Sequence, residues 1–154
     1  MLVLESFQAG LSWECVLNKR EAFHKDFRNF DPHIIASFDE KKVQELLWDK
    51  NIIRSKAKIL ATISNAKIFL EIEKEFDSFK NYLLSFSKGK IFYETGKARN
   101  SLSDALSKDL KKRGIKFFGT IIAYSYLQAI GIVNSHEANC FLSPLKEKKS
   151  VIPQ

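Results

Sequence analysis

Residues 107 to 119, Ser-Lys-Asp-Leu-Lys-Lys-Arg-Gly-Ile-Lys-Phe-Phe-Gly, constrain the fold more than any other stretch, because two helical patterns meet there across two glycines. A basic helix stops at Gly114 and an apolar one begins just past Gly119. Glycine admits backbone angles closed to other residues, so the chain can reverse tightly and present amide N–H groups to an anion. Lys108, Lys111, Lys112, Arg113 and Lys116 surround the turn, opposed within it only by Asp109. A nucleic-acid backbone suits that charge. An ordinary C-cap at Gly114, with basic residues complementing the helix dipole, accounts for the same letters. The rest of the chain has to decide between these readings.

Strand signals are nearly absent. There is no Asn-Gly or Asp-Gly hairpin turn and no sustained alternation of apolar and polar residues. Helical spacing runs throughout. Leu4, Phe7 and Leu11 form one stripe of a first helix, with Glu5, Gln8 and Ser12 beside it. Asp31 and Pro32 start a short helix and Asp39 caps the next, with Val43, Leu46 and Leu47 on its apolar side. Ser55 opens a long helix to about Glu73, and Ser78 to Phe86 gives another. Residues 87 to 100 read as a surface loop. A helix from Ser101 or Ser103 to Arg113 then leads through the glycine turn to a core helix, Gly119 to Ile130. Seven or eight helices are expected, in a single all-α domain over residues 1–142 with a frayed tail over 143–154.

With 154 residues and 45% hydrophobic content, the chain has enough apolar side chain for one core. A net charge of +7, from 25 Lys and Arg against 18 Asp and Glu, suits a polyanionic partner without proving one. Cys15 and Cys140 are too few for a disulfide framework, and no secretory signal opens the chain. These features point to a reducing, cytoplasmic setting. The longest apolar stretch, Ile115 to Val133, is interrupted by Lys116, Thr120, Ser125 and Gln128, so it reads as a buried helix rather than a membrane span.

Four blocks taken in order carry a further signal: Leu4-Glu-Ser-Phe-Gln-Ala-Gly-Leu-Ser-Trp13, Asn51-Ile-Ile-Arg54, the Ser107 to Gly119 segment, and Val133-Asn-Ser-His136. In this order and spacing, the chain resembles the DNA-3-methyladenine glycosylase I family from about residue 2 to 142. The resemblance implies a helix-hairpin-helix architecture and hydrolytic removal of 3-methyladenine from alkylated double-stranded DNA in base-excision repair. It also implies a monomer acting on the bacterial nucleoid.

Such an enzyme needs a phosphate anchor, a pocket and an aromatic surface for a base taken out of the stack. The anchor falls on Lys112, Gly114, Lys116 and Gly119. Glu5 is the expected catalytic and base-reading residue, and Trp13 the base-stacking one. Their spacing is read as about two turns along one helix. 3-Methyladenine in DNA is cationic, so its bond to sugar is already weak. A buried carboxylate balances that charge, and an indole face adds about 0.5–2 kcal/mol. Read without the family, Glu5 is an ordinary solvated first-turn glutamate and Trp13 a core residue. Gln8 and Ser12 can line the pocket, with no role assigned.

The family usually carries a further segment ahead of the first block, with a cysteine and a histidine that join a later pair around a structural zinc, and aromatic residues that help close the pocket. His136 and Cys140 match the later pair, expected four apart on a helix, and are half of that zinc site. His24 and His33 match no ligand position, and Ser135 stands where the family commonly has an acidic residue. Two alternatives remain open: a catalytically impaired helix-hairpin-helix fragment that binds DNA, and a helical protein-interaction domain with a basic surface.

Overall fold

Four helix starts expected from short polar side chains form as written. The Asp31 carboxylate accepts the His33 N–H at 2.8 Å, Asp39 that of Lys42 at 2.8 Å, Ser55 that of Lys58 at 3.5 Å and Ser78 that of Asn81 at 3.1 Å. A fifth start is a capping box, in which Asn100 and Ser103 each bond the other's backbone N–H.

The computed structural model describes residues 1–143. In chain order the elements are α1 (Leu2–Gln8), α2 (Trp13–Leu17), α3 (Arg20–Asp26), a 3-10 turn (Arg28–Phe30), α4 (Pro32–Ala36), α5 (Glu40–Trp48), α6 (Lys56–Phe76), α7 (Phe79–Ser87), β1 (Phe92–Tyr93), α8 (Ser101–Lys112), α9 (Thr120–Ala129) and β2 (Val133–Asn134). The all-α class holds, with nine α-helices among the described residues rather than seven or eight. The excess comes from the first 26 residues, which break into three short helices. Of the expected tail, Ser143 is buried, and residues 144–154 lie outside the described residues.

Two hydrophobic clusters share α6. Toward the amino end, Leu4, Phe7, Phe23, Phe27 and Ile35 pack with Ile59 and Ile63 of α6. Farther along, Ile72 of α6 packs with Tyr82, Leu106, Leu110 and Leu127. Phe7 is fully buried, with its ring edge-on to Phe23 at 4.6 Å. Such a side chain contributes about 1.5–3 kcal/mol, enough to fix the orientation of a helix as short as α1.

The loop at 87–100 is mostly irregular, yet it holds one feature the sequence did not disclose. Phe92 and Tyr93 pair in parallel with Val133 and Asn134, through Phe92 N–H to Ile132 O at 2.9 Å and Glu94 N–H to Asn134 O at 3.1 Å. Two residues per strand are too few to show an alternating pattern.

Candidate functional site

Glu5 is turned inward. It is only 3% exposed, and its Oε2 is buried with no hydrogen-bond partner. Burial raises the carboxyl pKa above its ordinary value, while the positive Met1 amine works in the opposite direction. A buried carboxylate with a spare acceptor is unfavourable in isolation. It becomes favourable when a donor or a cation is brought to it.

The expected single helix from Glu5 to Trp13 does not form. Helix α1 ends at Gln8, Gly10 turns the chain at φ +78°, and Ser12 caps α2 by accepting the Cys15 N–H at 3.2 Å. Trp13 is therefore the first residue of a second helix, half-buried against the amino-terminal cluster. The two-turn argument fails because a helix stop and a helix start lie between the two residues. Gly10 followed by Ser12 was the available signal. Ser12 serves as a cap, and the Gln8 carbonyl accepts Leu11 N–H at 2.7 Å. The break is braced by Lys58 of α6, whose ammonium donates to the carbonyls of Phe7 at 2.8 Å and Ala9 at 2.6 Å. Desolvation lowers the Lys58 pKa.

Beside α1 lies a cavity of about 240 Å³. Leu2, Val3 and Ser6 of α1 face Phe30, Pro32 and Ile35 across it, with Thr62, Asn65, Ala66 and Phe69 of α6 along one side and Tyr126 and Ile130 closing another. Neither Glu5 nor Trp13 is among its lining residues. No charged side chain lines it, and burial pushes the Tyr126 hydroxyl up to about 12. The Phe30 wall belongs to an unusual corner: Arg28, Asn29 and Phe30 all have positive φ, at 51°, 58° and 59°. Three successive left-handed non-glycine residues are strained and persist only where their surroundings fix them. Here the Phe30 ring packs against the amino-terminal cluster and edge-on to His24 at 5.8 Å.

The turn between α8 and α9 forms where expected, although its two glycines behave differently. Gly114 has φ +100°, and an added Cβ would meet Ile68 Cδ1 at 3.3 Å. Gly119, the N-cap of α9, has φ −75° and ψ 173°, angles any residue can adopt. Its conformational freedom is therefore unused, and what it offers is open space, with nothing within 4 Å of an added Cβ. The positive φ falls instead on Phe117, at 55°.

Lys108, Lys111, Lys112 and Lys116 are exposed, and none makes an ion pair among the described residues. Arg113 does not share that freedom. It bonds Asp109 at 2.8 Å and both carboxylate oxygens of Glu75, and lies over the rings of Phe76 and Tyr82 at 5.5 and 5.4 Å. The Tyr82 hydroxyl donates to Asp109 at 2.8 Å, so the cluster locks the end of α8 to α6 and α7. The fold also brings in Asp104, which accepts the Thr120 hydroxyl at the start of α9.

Asn65, in the middle of α6, was not singled out by the sequence. It is 7% exposed and bonds both backbone polar groups of Lys116: its Oδ1 accepts the N–H at 2.9 Å and its Nδ2 donates to the carbonyl at 2.9 Å. Ser107 of α8 holds the next part of the turn by donating to Phe118 O at 3.0 Å.

His136 and Cys140 come together, although not on a helix. A turn joins them, with Cys140 N–H on Glu137 O at 2.9 Å, and Cys140 Sγ lies 3.4 Å from His136 Nδ1. Zinc bonds to sulfur and nitrogen at tetrahedral angles put such atoms about 3.5 Å apart, so the pair has the spacing of two ligands. Among the described residues no group of three or more His, Cys, Asp and Glu could hold a metal, so they do not complete a zinc site. Ser135 accepts a hydrogen bond from Gln128. No helix among the described residues is long and apolar enough to cross a membrane.

The helical body and its basic turn match solved structures of proteins that act on DNA bases. A crystal structure of 3-methyladenine DNA glycosylase I superposes with a TM-score of 0.87 at 44% identity, covering 93% of this chain and 82% of that one. The Staphylococcus aureus 3-methyladenine DNA glycosylase I gives a TM-score of 0.87 at 33% identity, covering 91% of this chain and 78% of that one. DNA-3-methyladenine glycosylase 1 of Escherichia coli (strain K12) is 43% identical over 150 residues, 94% of this chain and 80% of that protein. The methyladenine glycosylase family model matches residues 1–143, and the chain belongs to that family.

Proposed function

We propose that this protein removes 3-methyladenine from alkylated double-stranded DNA by hydrolysing the bond between base and sugar, the first step of base-excision repair. The observation that carries the reading is the Glu5 carboxylate, buried with an unused acceptor on a helix that also walls the cavity. Relatives support it: the E. coli protein and a Haemophilus influenzae protein 36% identical over 145 residues are DNA-3-methyladenine glycosylases, and one solved relative was captured in complex with 3-methyladenine.

In this reading the base swings out of the duplex and Glu5 accepts hydrogen bonds from its adenine edge while balancing its positive charge. Trp13 stacks on the base. Water adds to the anomeric carbon, the C–N bond breaks with its electron pair passing to the base, and neutral 3-methyladenine leaves as the water loses a proton. Because the base enters as a cation, departure needs no strong acid from the protein. Neutral adenine gains nothing from the carboxylate's charge, which is the basis of selection. Lys112 and Lys116 hold the DNA backbone in a helix-hairpin-helix manner, with Gly114 turning the chain and the N–H groups at Gly119 and the start of α9 approaching phosphate.

The protein acts as a monomer on intracellular DNA. His136 and Cys140 are two zinc-type ligands, a pair that holds the metal tightly only where two further ligands join it. Comparison of Glu5→Gln with the parent tests the reading: duplex affinity should stay within about twofold while release of free 3-methyladenine falls about a hundredfold or more. Equal release by the two proteins would reject it.

A further inference from the structure

We infer that Asn65 is a positioning residue that sets the DNA-gripping turn in register with the base pocket, an inference that rests on the glycosylase reading above. Its amide bonds both the N–H and the C=O of Lys116, at 2.9 Å each, across 51 positions of sequence. A side-chain amide used in this way pairs with one residue of the turn as a neighbouring strand would. Lys116 is followed at once by Phe117, at φ 55°, and by Phe118, whose carbonyl Ser107 holds. The strained residue is thus bracketed by two bonds from α6 on one side and one from α8 on the other.

The same α6 face reaches the other half of the site. Lys58, seven positions before Asn65, holds the two carbonyls at the end of α1, the helix that carries Glu5. Seven positions are two turns, so the two side chains share a face about 10 Å apart along the axis. Asn65 also lines the cavity. One rigid helix therefore braces both the end of the helix that carries Glu5 and the lysine of the turn, and the spacing of the two braces is set by its rise. A small error in that distance leaves the base short of its pocket, and displacements of about 1 Å in such settings cost up to a hundredfold in rate.

The test uses Asn65→Ala and Asn65→Asp, the second keeping the acceptor for Lys116 N–H while losing the donor to its carbonyl. Three quantities are measured on the full chain: calorimetric affinity for free 3-methyladenine, single-turnover release from a methylated duplex, and release by each variant combined with Lys116→Ala. Positioning predicts release from duplex down about tenfold to a hundredfold, well beyond the smaller loss of free-base affinity that Asn65 causes as a lining residue of the cavity. It also predicts that the double variants fall no more than about twofold below Lys116→Ala alone. Parental release by both variants overturns the inference, as does a loss of free-base affinity matching the loss of release, which marks a general structural role. A parent protein that neither binds free 3-methyladenine nor releases it from DNA overturns the glycosylase reading and this inference with it.

Discussion

Glu5 is held in a setting that works against its own charge. Because burial raises its pKa in the folded state, the contribution to stability is present at low pH and is lost as pH rises through the raised pKa. Glu5→Gln removes that penalty. The variant should melt above the parent near pH 8, with the gap closing as pH falls toward the ordinary carboxylate range, in thermal unfolding followed by circular dichroism. Base release should follow the opposite course in the parent, rising with pH through the same ionisation, because the charged carboxylate is the form that pairs with a cationic base. The roles proposed for Glu5 and Trp13 come only from the family pattern. The sequence placed both on one helix, and the Gly10 turn with its Ser12 cap places them on two. Lys58 and Asn65 could not be read at all, since their partners are backbone atoms about fifty residues away and backbone atoms leave no mark in the letters.

Among the elements, the α8–α9 turn was the best read, because its signals are local: a basic last turn, Gly114 at positive φ, and an apolar helix beginning after Gly119. Helix starts at Asp31, Asp39, Ser55 and Ser78 were legible for the same reason. What escaped was the division of labour among the cations. Arg113 spends its charge on Glu75 and Asp109, whereas Lys112 and Lys116 face solvent. Two opposite outcomes follow. Lys112→Ala with Lys116→Ala should weaken duplex binding on all sequences alike and flatten the plot of log affinity against log salt by about 0.9 for each lost contact. Arg113→Ala should leave that slope close to the parent's while costing about 1–2 kcal/mol of stability, seen as a lower denaturant midpoint, because it frees the end of α8 from α6 and α7.

At the scale of the whole molecule, an apolar stripe on one helix tells nothing of which cluster it will join. Ile59 and Ile63 go to one cluster and Ile72 to the other, so α6 runs through the body as its shared wall. The cavity is bounded by residues from four separate stretches of chain, and no single stretch announces it. The His136 and Cys140 pair is expected to bind metal only weakly on its own. Elemental analysis of this chain after dialysis against a chelator should find well under one zinc per molecule, and replacing Cys140 with serine should then leave thermal stability unchanged.

A helix that measures a distance cannot change its length. An alanine inserted into α6 between Lys58 and Asn65 would swing everything after it by about 100° around the axis, aiming the amide away from the turn. Point changes on the outer side of this stretch should be absorbed, while any indel there should disable repair even in a protein that still folds. The frame of α6 is thus a stricter inheritance than most of its letters.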